Sequence, residues 1–170
     1  MKHYFLFMFV VFGLSLSAQT KNGDCLAHVI QKEDEVTGEK TVAIKSFIKV
    51  VKGSESVTFF LNRSPGEKSV FLLLKVTGSS PCIDEGEKAN ILFTDGTRIE
   101  IQNQSDFSCD GTFSLFIVDD ETSTLTNLCI KPIKTIRVWT AKGYVEVDIP
   151  LAKAKSLMSA FLCTRYWTFE

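Results

Sequence analysis

Hydrophobic and polar residues alternate along most of the chain beyond residue 39, with a period of two. Between Lys40 and Lys52, Val42, Ile44, Ile48 and Val50 share one face, with Lys45, Phe47 and Lys49 opposite. Residues 56–62 gather Val57, Phe59 and Leu61, and residues 69–76 gather Val70, Leu72, Leu74 and Val76, with Ser64-Pro65-Gly66-Glu67 as the turn between them. This is the signature of half-buried antiparallel strands. Gly78-Ser79-Ser80-Pro81-Cys82 and Asp84-Glu85-Gly86 then break the pattern into a long loop.

Two hairpins are readable at residue level. Asp95-Gly96 is a favoured pair for a two-residue turn. It sets Thr94 opposite Thr97, Leu92 opposite Ile99 and Asn90 opposite Ile101, leaving Ile91, Phe93, Arg98 and Glu100 on the other face. Lys142-Gly143 joins residues 136–141 to 144–149, and Ile136, Val138, Thr140, Val145, Val147 and Ile149 form one nearly apolar face. The reverse face then pairs Arg137 with Asp148 and Trp139 with Glu146. A slip of one residue would bury Arg137 and Asp148, so the choice of face is firmly specified.

Residues 112–118 read as another strand. Residues 119–130 fit either a short helix, on Leu125, Leu128 and the acidic start, or a loop, on their Thr and Ser content. The last element is a helix: Pro150 suits a first helical position, and Leu151, Ala154, Leu157, Met158, Phe161 and Leu162 fall on one stripe. The expected fold is mainly β (α+β), an antiparallel sheet or sandwich of about eight strands with one C-terminal amphipathic helix packed on it.

The N-terminus changes the setting. Lys2 and His3 precede an apolar run from Tyr4 to Leu14, and Ser15-Leu16-Ser17-Ala18 leads into the polar stretch Gln19–Asp24. A basic start, a short apolar run and a small-residue exit mark a cleavable secretory signal; a membrane-spanning helix needs about 20 apolar residues. The expected organisation is a signal peptide over 1–18, an N-terminal arm over 19–39 and a single β-rich domain over 40–170. Localisation follows: secreted, or periplasmic and cell-envelope, after cleavage. Removing residues 1–18 from the 170 leaves 152 and takes away Lys2, moving the formal charge from −1 to −2. Such a balance gives no basic face for nucleic acid, and the mature chain holds no segment of membrane-spanning length.

Export places the five cysteines in an oxidising compartment, and an odd count leaves at least one unpaired within the chain. Extending the register of the Asp95-Gly96 hairpin outward sets Cys82 opposite Cys109, although Pro81 and Gly86 interrupt regular pairing. That bridge closes a loop of about 28 residues, worth roughly 3–4 kcal/mol in chain entropy. Cys163 falls on the helix side opposite the apolar stripe, within reach of Cys25. Cys129, between Leu128 and Ile130, is the expected buried free thiol.

Candidate chemistry is sparse. His28 is the one histidine left after cleavage, so any Ser-His-Asp or Cys-His arrangement would require it. No Cys-x-x-Cys pair or glycine-rich phosphate loop occurs, and neither a metal nor a cofactor is expected. Asp119-Asp120-Glu121 follows a strand, where acids can line a cleft; a polar helix start is the plainer reading. Asn62-Arg63-Ser64 and Asn103-Gln104-Ser105 match the glycan acceptor pattern. Trp139, with Arg137 and Tyr144, lies on the less apolar face of its hairpin and forms a candidate contact surface, since Trp, Tyr and Arg dominate binding hot spots.

Glu33-Asp34-Glu35-Val36-Thr37-Gly38, the Phe93-Thr94-Asp95-Gly96-Thr97 hairpin, Ile136-Arg137 and the closing helix with Cys163 carry a resemblance. The chain resembles small secreted proteins of unknown function from Bacteroidetes-type bacteria, over most of its mature length. Val36 departs from the pattern, in which Phe is common. The resemblance implies an envelope or extracellular setting and carries over no catalytic residue.

By subtraction, the expected role is an exported non-catalytic domain that binds a partner, a protein or envelope component, or contributes to the cell envelope. A carboxylate-dependent hydrolase, a small-molecule carrier with an apolar cavity between sheet and helix, and an outer-membrane barrel are the competing readings. The native protein should begin at Gln19. Intact mass and N-terminal sequencing check this, and a full-length chain retained in the cytoplasm would refute it.

Overall fold

A computed structural model describes residues 24–119 and 124–169. The expected signal segment 1–18 lies outside the described residues, as do Asp120 and Glu121 of the acidic stretch. A single 3-10 turn, Asp24–Ala27, leads into β1 (Val29–Glu33), β2 (Lys40–Ile44), β3 (Ile48–Lys52), β4 (Glu55–Arg63) and β5 (Ser69–Thr77). After a loop come β6 (Lys88–Phe93), β7 (Arg98–Gln102) and β8 (Thr112–Val118). A short helix α1 (Thr124–Ile130), β9 (Ile133–Thr140), β10 (Gly143–Asp148) and α2 (Leu151–Tyr166) complete the chain.

The strands form two antiparallel sheets: a larger one of six, ordered β1-β2-β4-β5-β8 with β3 also on β4, and a smaller one of four, ordered β10-β9-β6-β7. Their inner faces share one core, with Val57, Phe59, Leu72 and Leu74 from the larger sheet and Ala89, Ile91, Ile136 and Val138 from the smaller. The count is ten strands where eight were expected. Part of the difference is β1, inside the segment read as an arm. The rest comes from residues 40–52, whose unbroken alternation hides a break. β2 and β3 pair the same edge of β4, through Val42↔Arg63 and Ile48↔Phe59, so the register advances by two across Lys45, Ser46 and Phe47. The Lys45 N–H turns away to the His28 carbonyl at 2.9 Å, and Phe47 lands on Phe60 with ring centroids 4.5 Å apart.

Both hairpin registers differ from expectation. β6 and β7 pair as Ile91↔Ile99 and Asn90↔Glu100, one residue away from the two-residue turn. Thr94, Asp95 and Gly96 form a longer loop closed by Phe93 N–H to Thr97 O at 2.9 Å, with Gly96 at φ 85°. This loop type needs a residue in the left-handed region at its end. Its advantage is burial: Ile91 and Phe93 now share the core face with Ile99 and Ile101, which the shorter turn would have divided. In the second hairpin the turn residues are Ala141 and Lys142, and Gly143 pairs Thr140. The shift is by two, so the apolar face stands unchanged, with Ile136, Val138, Thr140, Val145, Val147 and Ile149 all buried. Arg137 faces Glu146 instead of Asp148, and Trp139 faces Tyr144 instead of Glu146.

Within the ambiguous stretch, Thr124–Ile130 form a helix, α1, with Leu125, Leu128 and Cys129 buried. Pro150 sits one position earlier than expected, as the residue flanking α2 at φ −55° and ψ 137°. The buried stripe of α2 is also rotated: Ala154, Leu157, Ala160, Phe161 and Thr164 are inside, while Leu151 and Leu162 are exposed. The cause is a second set of neighbours. Cys163 and Trp167 pack with Val29 and Val42 in a separate small cluster, and the Trp167 Nε1–H donates to Gln31 Oε1 at 3.0 Å. An amphipathic stripe drawn for a single sheet omits that flank.

Asn103, just beyond β7, joins the two sheets and is 2% exposed. Its Nδ2 donates to the carbonyls of Asp84 and Ser105, both at 2.9 Å. Its Oδ1 accepts the Ser114 N–H of β8 and the Ser105 hydroxyl, both at 2.8 Å. Alongside it, the Gln104 N–H donates to Ser114 O and the Phe116 N–H to Gln104 Oε1, each at 2.8 Å. Burial and full use of its amide remove Asn103 as a glycan acceptor in the folded protein; Asn62 is exposed. Asn103→Ala should lower stability by about 3 kcal/mol, because a buried N–H and two carbonyls lose their partner. Asn62→Ala should change it by less than about 0.5 kcal/mol. Urea denaturation of the two variants makes the comparison.

Candidate binding surface

The outward side chains of the smaller sheet form a grid set by strand register. One row runs Glu100–Asn90–Arg137–Glu146 and the next Arg98–Leu92–Thr135–Asp148, each crossing β7, β6, β9 and β10. Trp139 and Tyr144 pair beyond the first row. Each side chain in this patch holds the next. The Trp139 Nε1–H donates to Asn90 Oδ1 at 2.9 Å, and Asn90 Nδ2 donates to Glu100 Oε2 at 3.2 Å. Lys88 Nζ lies 2.8 Å from Glu100 Oε1. Arg137 grips Glu146 Oε2 through Nε at 2.7 Å and Nη2 at 2.6 Å. The Arg137 guanidinium also stacks over the Tyr144 ring at 4.4 Å, and Tyr144 meets Trp139 edge to face at 5.4 Å.

Trp139, Arg137 and Tyr144 are therefore brought together on an outer face that neither the second sheet nor α2 covers. Beside them is an open depression of about 530 Å³ lined by Leu92, Arg98, Glu100, Thr135, Arg137 and Glu146. Sequence reasoning missed Asn90, Glu100 and the Arg137–Glu146 pair. The first two belong to this surface only once β6 is known to pair β9, which no turn signal announces. The third needed the right turn; opposite charges two positions apart in register were the available signal.

Four carboxylates are held below their ordinary range. Hydrogen bonding from Lys88 holds the Glu100 carboxyl below its ordinary range. Asp95 is pulled down to about 2, chiefly by the Thr97 N–H and then by Lys131. Asp110 is lowered by the Ser108 hydroxyl, and Asp34 by the Thr37 N–H. A general acid needs the opposite shift. Asp119, the described member of the acidic stretch, is 2.5 Å from Arg165 Nη2. His28 is half-buried, and its carbonyl takes the Lys45 N–H. Among the described residues no group of His, Cys, Asp or Glu is placed to hold a metal.

Covalent links close the chain at two places. Cys25 bonds Cys163, 138 residues away, tying the opening turn to α2. Cys82 bonds Cys109, 27 residues away. The second juxtaposition does not come from the hairpin register, which is off by one. It comes from an isolated bridge in which Ile83 and Ser108 exchange N–H···O bonds of 2.8 and 3.0 Å, leaving Cys82 and Cys109 as the adjacent opposed pair. The chain returns there through Gly111, at φ 81°, where an added Cβ would come within 2.0 Å of the Val76 carbonyl oxygen. Two disulfides fit an oxidising, extracytoplasmic compartment.

No family model matches the chain, and no curated protein or solved structure is similar to it.

Cys129 is free and buried, and burial pushes its thiol up to about 11, with Arg165 offsetting only part of the effect. The thiolate is the reactive form, so at pH 8 the native protein should resist a disulfide-exchange reagent. One thiol per chain should react rapidly once guanidinium unfolds it. Rapid titration of the native protein would place Cys129 at the surface.

Proposed function

We propose that this is an exported, non-catalytic domain that binds an extracellular or envelope partner through the outer face of its smaller sheet. The observation that carries the reading is the interlocked group Trp139, Tyr144, Arg137, Glu146 and Asn90. Folding alone does not require it, since the inner face already supplies the apolar burial. Aromatic rings and a guanidinium held in fixed orientation lose little entropy on binding, which is what makes such residues effective anchors. Arg98, at the rim of the depression, has no ion pair among the described residues and is available to an acidic group.

The competing readings have less support. The acids around the depression are neutralised by Arg137 and Lys88. Between sheet and helix, where a carrier would need an apolar cavity, Phe59, Phe113 and Phe161 are buried in the core, and the open hollow of about 520 Å³ beside α2 is lined in part by His28, Ser46, Lys49, Lys153 and Ser156. An outer-membrane barrel has a polar interior, whereas this interior is apolar, and no helix among the described residues is long and apolar enough to cross a membrane.

The test is retention of envelope material on immobilised mature protein, followed by affinity measurement with the purified species retained. Tyr144→Ala and Arg98→Glu, both at exposed positions, should keep the native melt. Each should weaken binding by about tenfold or more, as hot-spot truncation does. Undiminished binding by both would move the contact to another face.

A further inference from the structure

The outer face of the larger sheet differs in kind from that of the smaller. Its outward positions include Lys49 and Val51 on β3, Thr58, Phe60 and Asn62 on β4, and Phe71, Leu73 and Lys75 on β5. Ser114, Phe116 and Val118 follow on β8. Phe60 stands opposite Leu73, and Phe71 opposite Phe116 with ring centroids 5.0 Å apart. Phe47, expelled by the break between β2 and β3, extends the band by stacking on Phe60. The result is an apolar band running across the sheet from Phe47 to Phe116.

The band is open to solvent, with Phe47 65% exposed, Phe116 58% and Val118 57%; Val51, beyond the polar row Lys49–Thr58–Lys75–Thr112, is 59% exposed. Outward-facing charges on β3, β4, β5 and β8 are Lys49 and Lys75, both positive, with no carboxylate on those outward positions. Lys75 shares its charge with Asp110 at 3.0 Å; Lys49 is exposed.

We infer that this face seats on an anionic lipid surface, with Phe47, Phe116, Val51 and Val118 entering the headgroup region and Lys49 against phosphate. Charge selects this occupant. Those four side chains expose apolar area on the order of 400 Å², close to the apolar share of a standard interface, roughly 800 Å² per partner and a little over half apolar, so area serves a second copy and a lipid surface alike. Two such faces would bring Lys49 against like charge, with no outward carboxylate on these strands to offset it. Interfacial lipid binding instead grows with apolar area plus attraction of cations to anionic headgroups, and needs no complementary shape. β4 and β5 are paired on both sides, and seating no deeper than the headgroup layer leaves the outer backbone groups of the edge strands β3 and β8 in a hydrated region. The inference uses none of the residues of the smaller sheet and stands apart from the function proposed above.

Vesicle co-sedimentation of the disulfide-bonded chain beginning at Gln19 tests it. The expected result is association with phosphatidylcholine vesicles containing phosphatidylglycerol and much weaker association with phosphatidylcholine alone. Phe47→Ser combined with Phe116→Ser should reduce partitioning by at least about tenfold with an unchanged melt, given what burying a Phe side chain contributes. Lys49→Gln should reduce it about fivefold, as loss of one positive charge near an anionic surface does. Tyr144→Ala should leave it unaltered, which separates this face from the other. No association with either vesicle would overturn the inference, as would binding that survives the double Phe variant. Concentration-dependent dimerisation lost in the double variant would overturn it in favour of a second copy of the chain.

Discussion

Asn103 is where the two sheets become one fold. β8 belongs to the larger sheet and β7 to the smaller, and no strand is shared between them. The buried Asn103 amide spans the gap, holding the Ser114 N–H on one side and the Asp84 and Ser105 carbonyls on the other, with Gln104 bonded to Ser114 and Phe116 of β8 beside it. A buried backbone group left unpaired costs of the order of 1–3 kcal/mol, so this junction closes fully or not at all. Much else follows from it. The loop before β6 is pinned where its backbone meets Asn103, and farther along the same loop Cys82 meets Cys109.

What could be read from the chain divides along a physical line. The face each strand residue takes is set by burial, and burial has a large energy, so the alternation in residues 56–62, 69–76 and 136–149 gave faces that the structure retains. Cross-strand partners are set by turn geometry, where alternatives differ by little. In the β9–β10 hairpin the true turn lies one residue earlier, and the two-residue slip leaves every side chain on its face while exchanging Asp148 for Glu146 opposite Arg137. The β6–β7 hairpin shows the same competition with a different result. Asp95-Gly96 favours a two-residue turn locally, but the longer loop puts Ile101 in the core and Ile99 partly buried against it, and that burial outweighs a turn preference.

Elements whose partners lie far along the chain were the least legible. β1 pairs the next strand, β2, but its one fully buried position, Val29, is covered by Cys163 and Trp167 from the far end of the chain, which its five-residue pattern does not announce. The rotated stripe of α2 has the same origin: Cys163 and Trp167 are inside because β1 and β2 lie against that flank. The candidate binding surface was legible to the same extent. Trp139, Arg137 and Tyr144 share a hairpin and were visible together, whereas Asn90 and Glu100 reach them only through the β6–β9 pairing.

The two outer faces are where this fold keeps residues that folding does not demand. A solvated sheet face is satisfied by Thr, Ser, Lys and Glu, which interrupt apolar patches and guard against edge and face association. The smaller sheet departs from that by placing two aromatics and a stacked guanidinium in a charged lattice; the larger departs by placing Phe47, Phe60, Phe71 and Phe116 across its outer face, where the outward charges on its strands β3, β4, β5 and β8 are Lys49 and Lys75. Because both inner faces meet in one core, the two outer surfaces point away from each other. A contact made by one therefore leaves the other accessible, and the same domain can rest on one surface while presenting the second.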